Sequence, residues 1–142
     1  MSIECHVGED ALAMARAVRR RVFVEEQGVS EAEEMDGKDD EATHFVLTDD
    51  GTPVATARLR WPDETTVKIE RVAVLPAHRG EGLGRRVMER CASHAREQGA
   101  TTARLHSQRR VVGFYETLGY EVVGEPFEEA GIPHRAMAAS LE

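Results

Sequence analysis

From Ala11 the apolar positions Leu12, Ala15, Val18 and Val22 return every three or four residues and run on to Phe23, the spacing of one buried helix face, until Gly28 interrupts it. One helix, whole or broken into two, is predicted there, with Gly8-Glu9-Asp10 as its acidic start. A second stripe, Leu83, Val87 and Cys91 with Ala95 or His94, predicts a helix that Gly99 ends. Elsewhere the rhythm shortens. Ile3 to Val7, Ala42 to Thr48 and Val54 to Trp61 read as strands, the last two joined across Asp49-Asp50-Gly51-Thr52 as a hairpin. Val67 to Leu75 is the most strand-like run and is expected to be central, with Pro76 ending it. Thr102 to Ser107, Tyr120 to Val123 and Ile132 to Ala139 complete the strands, and Val111 to Leu118 is a short helix stopped by Gly119. Ser30 to Glu41 has almost no apolar residue and is expected to be a solvated loop. Strands first, then strand and helix in alternation, describe a mixed α/β fold with a partly antiparallel sheet. Residues 1–140 form one expected domain, and Leu141-Glu142 is set aside as a candidate cloning scar.

Composition narrows the partners. The 142 residues carry a formal net charge of −8, which argues against nucleic acid or an anionic membrane as the main partner and suits a cationic substrate. Lys38 and Lys68 are the only lysines, a bias that both a high-salt cytoplasm and a GC-rich coding sequence would produce. With neither a basic, apolar leader nor an apolar run long enough to span a bilayer, a cytoplasmic protein is expected. Cys5 and Cys91 stand alone, so free thiols are expected, and no spacing of His, Cys and Asp suggests a metal site.

His78-Arg79-Gly80-Glu81-Gly82-Leu83-Gly84-Arg85-Arg86 places three glycines at alternate positions just where a helix begins. A strand, a glycine-rich turn and a helix N-terminus make an anion site of unpaired amides and helix dipole. The Walker pattern fails because Arg85 follows Gly84, and the dinucleotide pattern G-x-G-x-x-G fails on spacing. A loop that only caps the helix explains a bare glycine trio equally well, and it is the position after Val72-Ala73-Val74-Leu75-Pro76 that favours a ligand.

The run from Val72 to Gly84 resembles the R/Q-x-x-G-x-G/A acetyl-CoA signature of the GNAT superfamily of N-acetyltransferases, with Arg79, Gly82 and Gly84 on the signature positions. Phe114-Tyr115-Glu116-Thr117-Leu118-Gly119-Tyr120 is similar to the downstream FYxxLGF element, and Val22 to Gln27, Ala42 to Phe45 and Gly131 to His134 resemble the ElaA-like or YjcF-like branch. The resemblance spans nearly the whole chain. It implies the GNAT fold, a mixed, mostly antiparallel central sheet flanked by helices, and acetyl-CoA as acyl donor. It also implies that Arg79, Gly80, Glu81, Gly82, Leu83, Gly84 and Arg85 hold the pyrophosphate, that Val72, Ala73 and Val74 pair with pantetheine, and that Phe114 and Tyr115 border the cofactor. Where many members carry an asparagine after the fifth strand, this chain reads Leu105-His106-Ser107-Gln108.

Acetyl transfer needs a neutral amine, a polarised carbonyl and a proton for the departing sulfur. The resemblance gives Tyr115 the last task, although core packing would also explain it. Glu70 is a candidate base, because strand alternation puts it on the face of Val72 and Val74. An ion pair with Arg58 or Arg71 is the other reading of Glu70, and His44 and His134 are rival bases. The acidic run at Glu25-Glu26 and Glu31 to Glu41 either attracts an amine or is plain solvated surface. The expected activity is acetyl transfer from acetyl-CoA to a primary amine of a small molecule or protein by direct attack. The alternative is a non-catalytic acyl-CoA-binding regulatory module on the same fold. A homodimer is compatible with either, and the acceptor is not legible.

Overall fold

The computed structural model describes residues 2–142. Its strands are β1 (Ile3–Val7), β2 (Thr43–Asp49), β3 (Thr52–Arg60), β4 (Thr66–Val74), β5 (Thr102–Gln108), β6 (Glu121–Glu129) and β7 (Ile132–Ser140), in one sheet ordered β1-β2-β3-β4-β5-β7-β6. All neighbours are antiparallel except β4 and β5. That is the mixed, mostly antiparallel sheet expected.

The helices are α1 (Leu12–Arg19), which continues into a π-helical turn at Arg20–Glu26, the short α2 (Glu31–Glu34), α3 (Leu83–Glu97) and α4 (Val112–Glu116). Helix α3 lays its predicted stripe, Leu83, Val87, Cys91 and Ala95, against Phe45, Leu59, Val67, Ile69, Leu105 and Met137 to form the main core. Burying such side chains stabilises by about 1.5–3 kcal/mol each. On the opposite face α1 and the π-helical turn cover β2, β3 and β4 through Ala15, Val18 and Val22. Beyond β4 that face is more open, and Arg104 and His106 of β5 stand exposed on it. Leu141, a candidate scar residue from sequence, packs in the core. Its N–H donates to Thr101 O at 2.9 Å, and its carbonyl accepts from Arg96 Nε at 3.0 Å.

Strand β4 carries two irregularities. The pairing passes from Arg58 opposite Glu70 to Thr56 opposite Ala73, so Ala57 faces both Arg71 and Val72. Arg71 takes φ 55°, a left-handed backbone, and this bulge reverses the alternation of the strand. Val67 and Ile69 before it, and Val72 and Val74 after it, therefore all join the α3 core. Glu70 lies on the other face, with Arg58 and Asp36, which corrects the placement expected from simple alternation. The second irregularity is a fork. Strands β4 and β5 pair only from Thr66 and Thr102 to Ile69 and Leu105, after which they part.

Ser30 to Glu41 is not the solvated loop expected. Ser30 Oγ caps α2 by accepting from Glu33 N–H at 3.1 Å, and Glu34 and Asp39 are buried against two fully buried arginines. Arg19 reaches Glu34 Oε1 and Asp39 Oδ1, each at 2.8 Å. Arg58 reaches Asp36 Oδ2 at 2.7 Å and Asp39 Oδ1 at 3.1 Å, and Arg71 reaches Glu34 Oε2 at 2.7 Å. These bonds hold Arg71 in its strained conformation, whose cost is on the order of 1–3 kcal/mol.

Candidate active site

The turn after β4 meets the demands of an anion site. Gly80 and Gly82 have φ 83° and 80°, where a side chain would be strained, and a Cβ on either would meet nothing within 4 Å. Gly84 is needed for another reason: a Cβ there would stand 3.2 Å from the Phe114 ring. The first amide of this turn to find a helical carbonyl is Arg86 N–H, which donates to Gly82 O at 3.1 Å. Among the described residues the amides from Gly80 to Arg85 have no hydrogen-bond acceptor, so they point outward with the α3 dipole behind them. Donors arranged in this way are the kind from which a phosphate accepts.

Arg79 sits differently from its neighbours. Its Nη1 and Nη2 donate to Glu26 at 2.7 and 2.6 Å and its Nε to Val74 O at 3.0 Å, tying the turn to the end of the π-helical segment. The residue after that segment, Gln27, accepts through Oε1 from Gln108 Nε2 at 2.8 Å, at the end of β5. One dipeptide, Glu26-Gln27, thus holds both lips of the fork. Arg85 is exposed at the start of α3, with Nη2 3.5 Å from Thr117 Oγ1.

Within the fork, the edge of β4 from Glu70 to Val74 has no strand beside it on the β5 side, while its other edge pairs with β3. Val72, Ala73 and Val74 therefore offer backbone groups to an extended ligand as a missing strand would. Tyr115 of α4 lies on the core side, its ring edge-on to Phe114 at 5.0 Å and to Tyr120 at 6.1 Å. Burial, with Tyr120 and Cys91 nearby, pushes its hydroxyl well above the ordinary tyrosine range, so it stays protonated. On the opposite face Glu70 accepts from Arg60 Nε and, at 3.2 Å, from Arg58 Nη2. Burial pushes the Glu70 carboxyl up, but the bond from Arg60 and the charges of Arg58 and Lys68 outweigh it and hold it below the usual range.

The family of the acetyltransferase (GNAT) domain matches residues 8–141, the turn, fork and Tyr115 included. The chain belongs to this family. The uncharacterized N-acetyltransferase YjcF of Bacillus subtilis is 40% identical over 130 residues, 91% of this chain and 92% of the relative. ElaA of Escherichia coli is 29% identical, with a TM-score of 0.85 over 97% of this chain and 99% of that one. A GNAT family acetyltransferase from Elizabethkingia anophelis, solved with acetyl-CoA bound, shares the fold at 14% identity and TM-score 0.77 over 97% of each chain.

In this N-acetyltransferase the residues singled out from sequence fall into two groups. Arg79 to Arg85, Val72 to Val74, Phe114 and Tyr115 surround the turn and fork. Glu70 faces the other way, in the ion-pair arrangement that sequence left open, with Arg58 and Arg60 rather than Arg71 as partners. His44 is buried, with Nε2 2.9 Å from Asp39 O, and belongs to the charged network beneath α1. His134 keeps Nδ1 2.7 Å from Ile132 O and is nearly buried.

The sequence reading passed over His106, although the alternation of β5, with Ala103 and Leu105 in the core, already turned Arg104 and His106 outward. With Lys68, Ile69, Glu70, Arg71 and Glu129, His106 lines a small pocket on the open face at the point where the strands part. A wider groove of about 370 Å³ adjoins it through Lys68 and His106 and runs past Arg104 to Pro62 and Asp63.

Proposed function

We propose that this N-acetyltransferase moves the acetyl group of acetyl-CoA to a primary amine of a small molecule or protein, by direct attack of the amine on the thioester. The observation that carries the reading is the continuity of the amide-lined turn with the free edge of β4, which suits a phosphate-bearing ligand with an extended amide arm. The structural neighbour solved with acetyl-CoA supports the same donor. When bound, the donor supplies the activated acyl group. The amides of Gly80 to Arg85 and the α3 N-terminus hold its pyrophosphate, with Arg85 at the rim, and Gly84 keeps Phe114 close to the turn. Val72 to Val74 align the arm, and donors released by the bulge at Arg71 polarise the carbonyl. Tyr115 Oη gives a proton to the sulfur. Glu70, held ionised by Arg60 and Arg58, attracts the cationic amine; a carboxylate so held is a weak base, and the amine proton leaves through water or a neighbouring group.

Release of coenzyme A thiol, followed over a panel of amines, tests the reading. Acetyl-CoA-dependent turnover with at least one amine is expected. Tight acetyl-CoA binding with no turnover on any would instead favour a regulatory acyl-CoA-binding module.

A further inference from the structure

We propose that His106, steadied by Glu129, takes the proton from the attacking amine. The inference rests on the amine acetylation proposed above and adds the group that the carboxylate of Glu70 does not supply. His106 is the first residue of β5 beyond its last pair with β4, as Glu70 is the first of β4, and both line the pocket at the narrow end of the fork. A donor whose phosphates lie on the turn at the wide end, with its arm running back along β4, brings its reactive end towards that narrow end.

The hydrogen bonding leaves the right nitrogen free. Nδ1 of His106 lies 3.0 Å from Glu129 Oε1, and an ionised carboxylate only accepts, which assigns the ring hydrogen to Nδ1. The neutral ring then keeps its lone pair on Nε2, which meets no hydrogen-bond donor among the described residues. A carboxylate behind an imidazole fixes its tautomer and steadies the imidazolium that forms. The pair is also held in place. Phe127 stands edge-on to the His106 ring at 4.9 Å and stacks on His134 at 5.9 Å. Glu129 precedes the tight turn at Ala130 and Gly131, whose φ values are 52° and 74°, and its Oε2 lies 3.8 Å from His134 Nε2.

The charged groups around the ring are Glu129 of β6, His134 of β7, Lys68, Glu70 and Arg71 of β4 and Arg104 of its own strand. As the nitrogen–carbon bond forms and the carbon–sulfur bond breaks, the surplus proton of a neutral amine passes to Nε2 of His106. The sulfur takes its proton from Tyr115 Oη, and the proton on His106 returns to Tyr115 through water.

The test is the pH dependence of kcat/KM for wild type, His106→Gln, Glu129→Gln and Glu70→Gln, with acetyl-CoA affinity measured alongside. Expected are a loss of roughly 10²-fold or more and of the acidic limb in His106→Gln, within the usual range for a general base, at unchanged acetyl-CoA Kd. Added imidazole should restore part of the rate in His106→Gly. Glu129→Gln should move the acidic limb to lower pH, and Glu70→Gln should keep the limb, because that carboxylate is already ionised across the range. An acidic limb that survives in folded His106→Gln, or one that disappears only in Glu70→Gln, overturns the His106 assignment alone. Wild type without turnover on any amine overturns the amine acetylation itself, and the proton transfer with it.

Discussion

The two sides of the fork are built by opposite means. On the side of the glycine turn the chain presents bare backbone, with Gly80 and Gly82 in left-handed conformations and a helix N-terminus behind them. On the α1 face it presents side-chain charge: Arg19 and Arg58, both fully buried, wired to Glu34, Asp36, Asp39 and Glu70. A backbone site needs few residue types and keeps its shape when its ligand leaves. A charge network depends on every partner, so removing one strands the others.

That contrast ranks the expected effects. Arg58→Met should cost the most, about 3–5 kcal/mol, because it leaves Asp36, Asp39 and Glu70 short of a counter-ion in a buried setting. Urea melts measure it, and a loss below about 1 kcal/mol would mean that the network adds little to the fold. Gly82→Glu should leave the unliganded fold nearer its original stability and remove the gain from acetyl-CoA. That gain is about 2.7 kcal/mol at a hundredfold excess over Kd, or roughly 5–10 °C in Tm. A folded variant that keeps the acetyl-CoA shift would be evidence against the turn as the phosphate site.

Tyr115→Phe keeps the ring contacts with Phe114 and Tyr120 and deletes only the hydroxyl, so kcat should fall roughly 10²-fold with little change in cofactor affinity. Unchanged kcat, with chemistry limiting, would return the residue to core packing.

Acid probes the charged side more gently. Burial pushes Asp39 up, but the bonds and charges of Arg19, Arg58 and Arg16 outweigh it and bring its pKa down to about 2 from the ordinary 3.8. A carboxyl lowered on folding stabilises above its unfolded pKa, so this contribution, on the order of 2 kcal/mol, should fade as pH drops from about 4 to about 2. Melts across that window should lose less stability in Asp39→Asn than in wild type. The smallest expected effect is that of salt. If the net charge of −8 reflects a saline cytoplasm, Tm should rise between 0.1 M and 2 M KCl; an equal or lower Tm favours coding bias.

How far each side was legible follows from the same physics. The elements and their order were readable because apolar spacing reports burial directly, and the turn was readable because left-handed backbone and close packing both demand glycine. The network was not. In Ser30 to Glu41 polarity alone suggested solvent, and only a fold that brings Arg19 and Arg58 over Glu34 and Asp39 makes those carboxylates internal. The bulge at Arg71 has no composition of its own, so Glu70 was assigned to the wrong face by sound alternation applied across a fault. His106 left a fainter trace, an outward position on β5, which gains meaning only beside Glu129 from a strand that sequence ended at Val123.

The extra residue in β4 also sets what kinds of genetic change the strand can absorb. Point substitutions around it alter one side chain at a time. Deleting the Arg71 codon would leave Val67, Ile69, Val72 and Val74 in plain alternation on the core face and Lys68, Glu70 and Ala73 on the other, so every side chain would keep its face while the bulge disappeared. The ion pair of Arg71 with Glu34 would go with it. Composition here can drift around the bulge, whereas a change of length removes it, and a chimaera between two such enzymes should be joined outside this stretch.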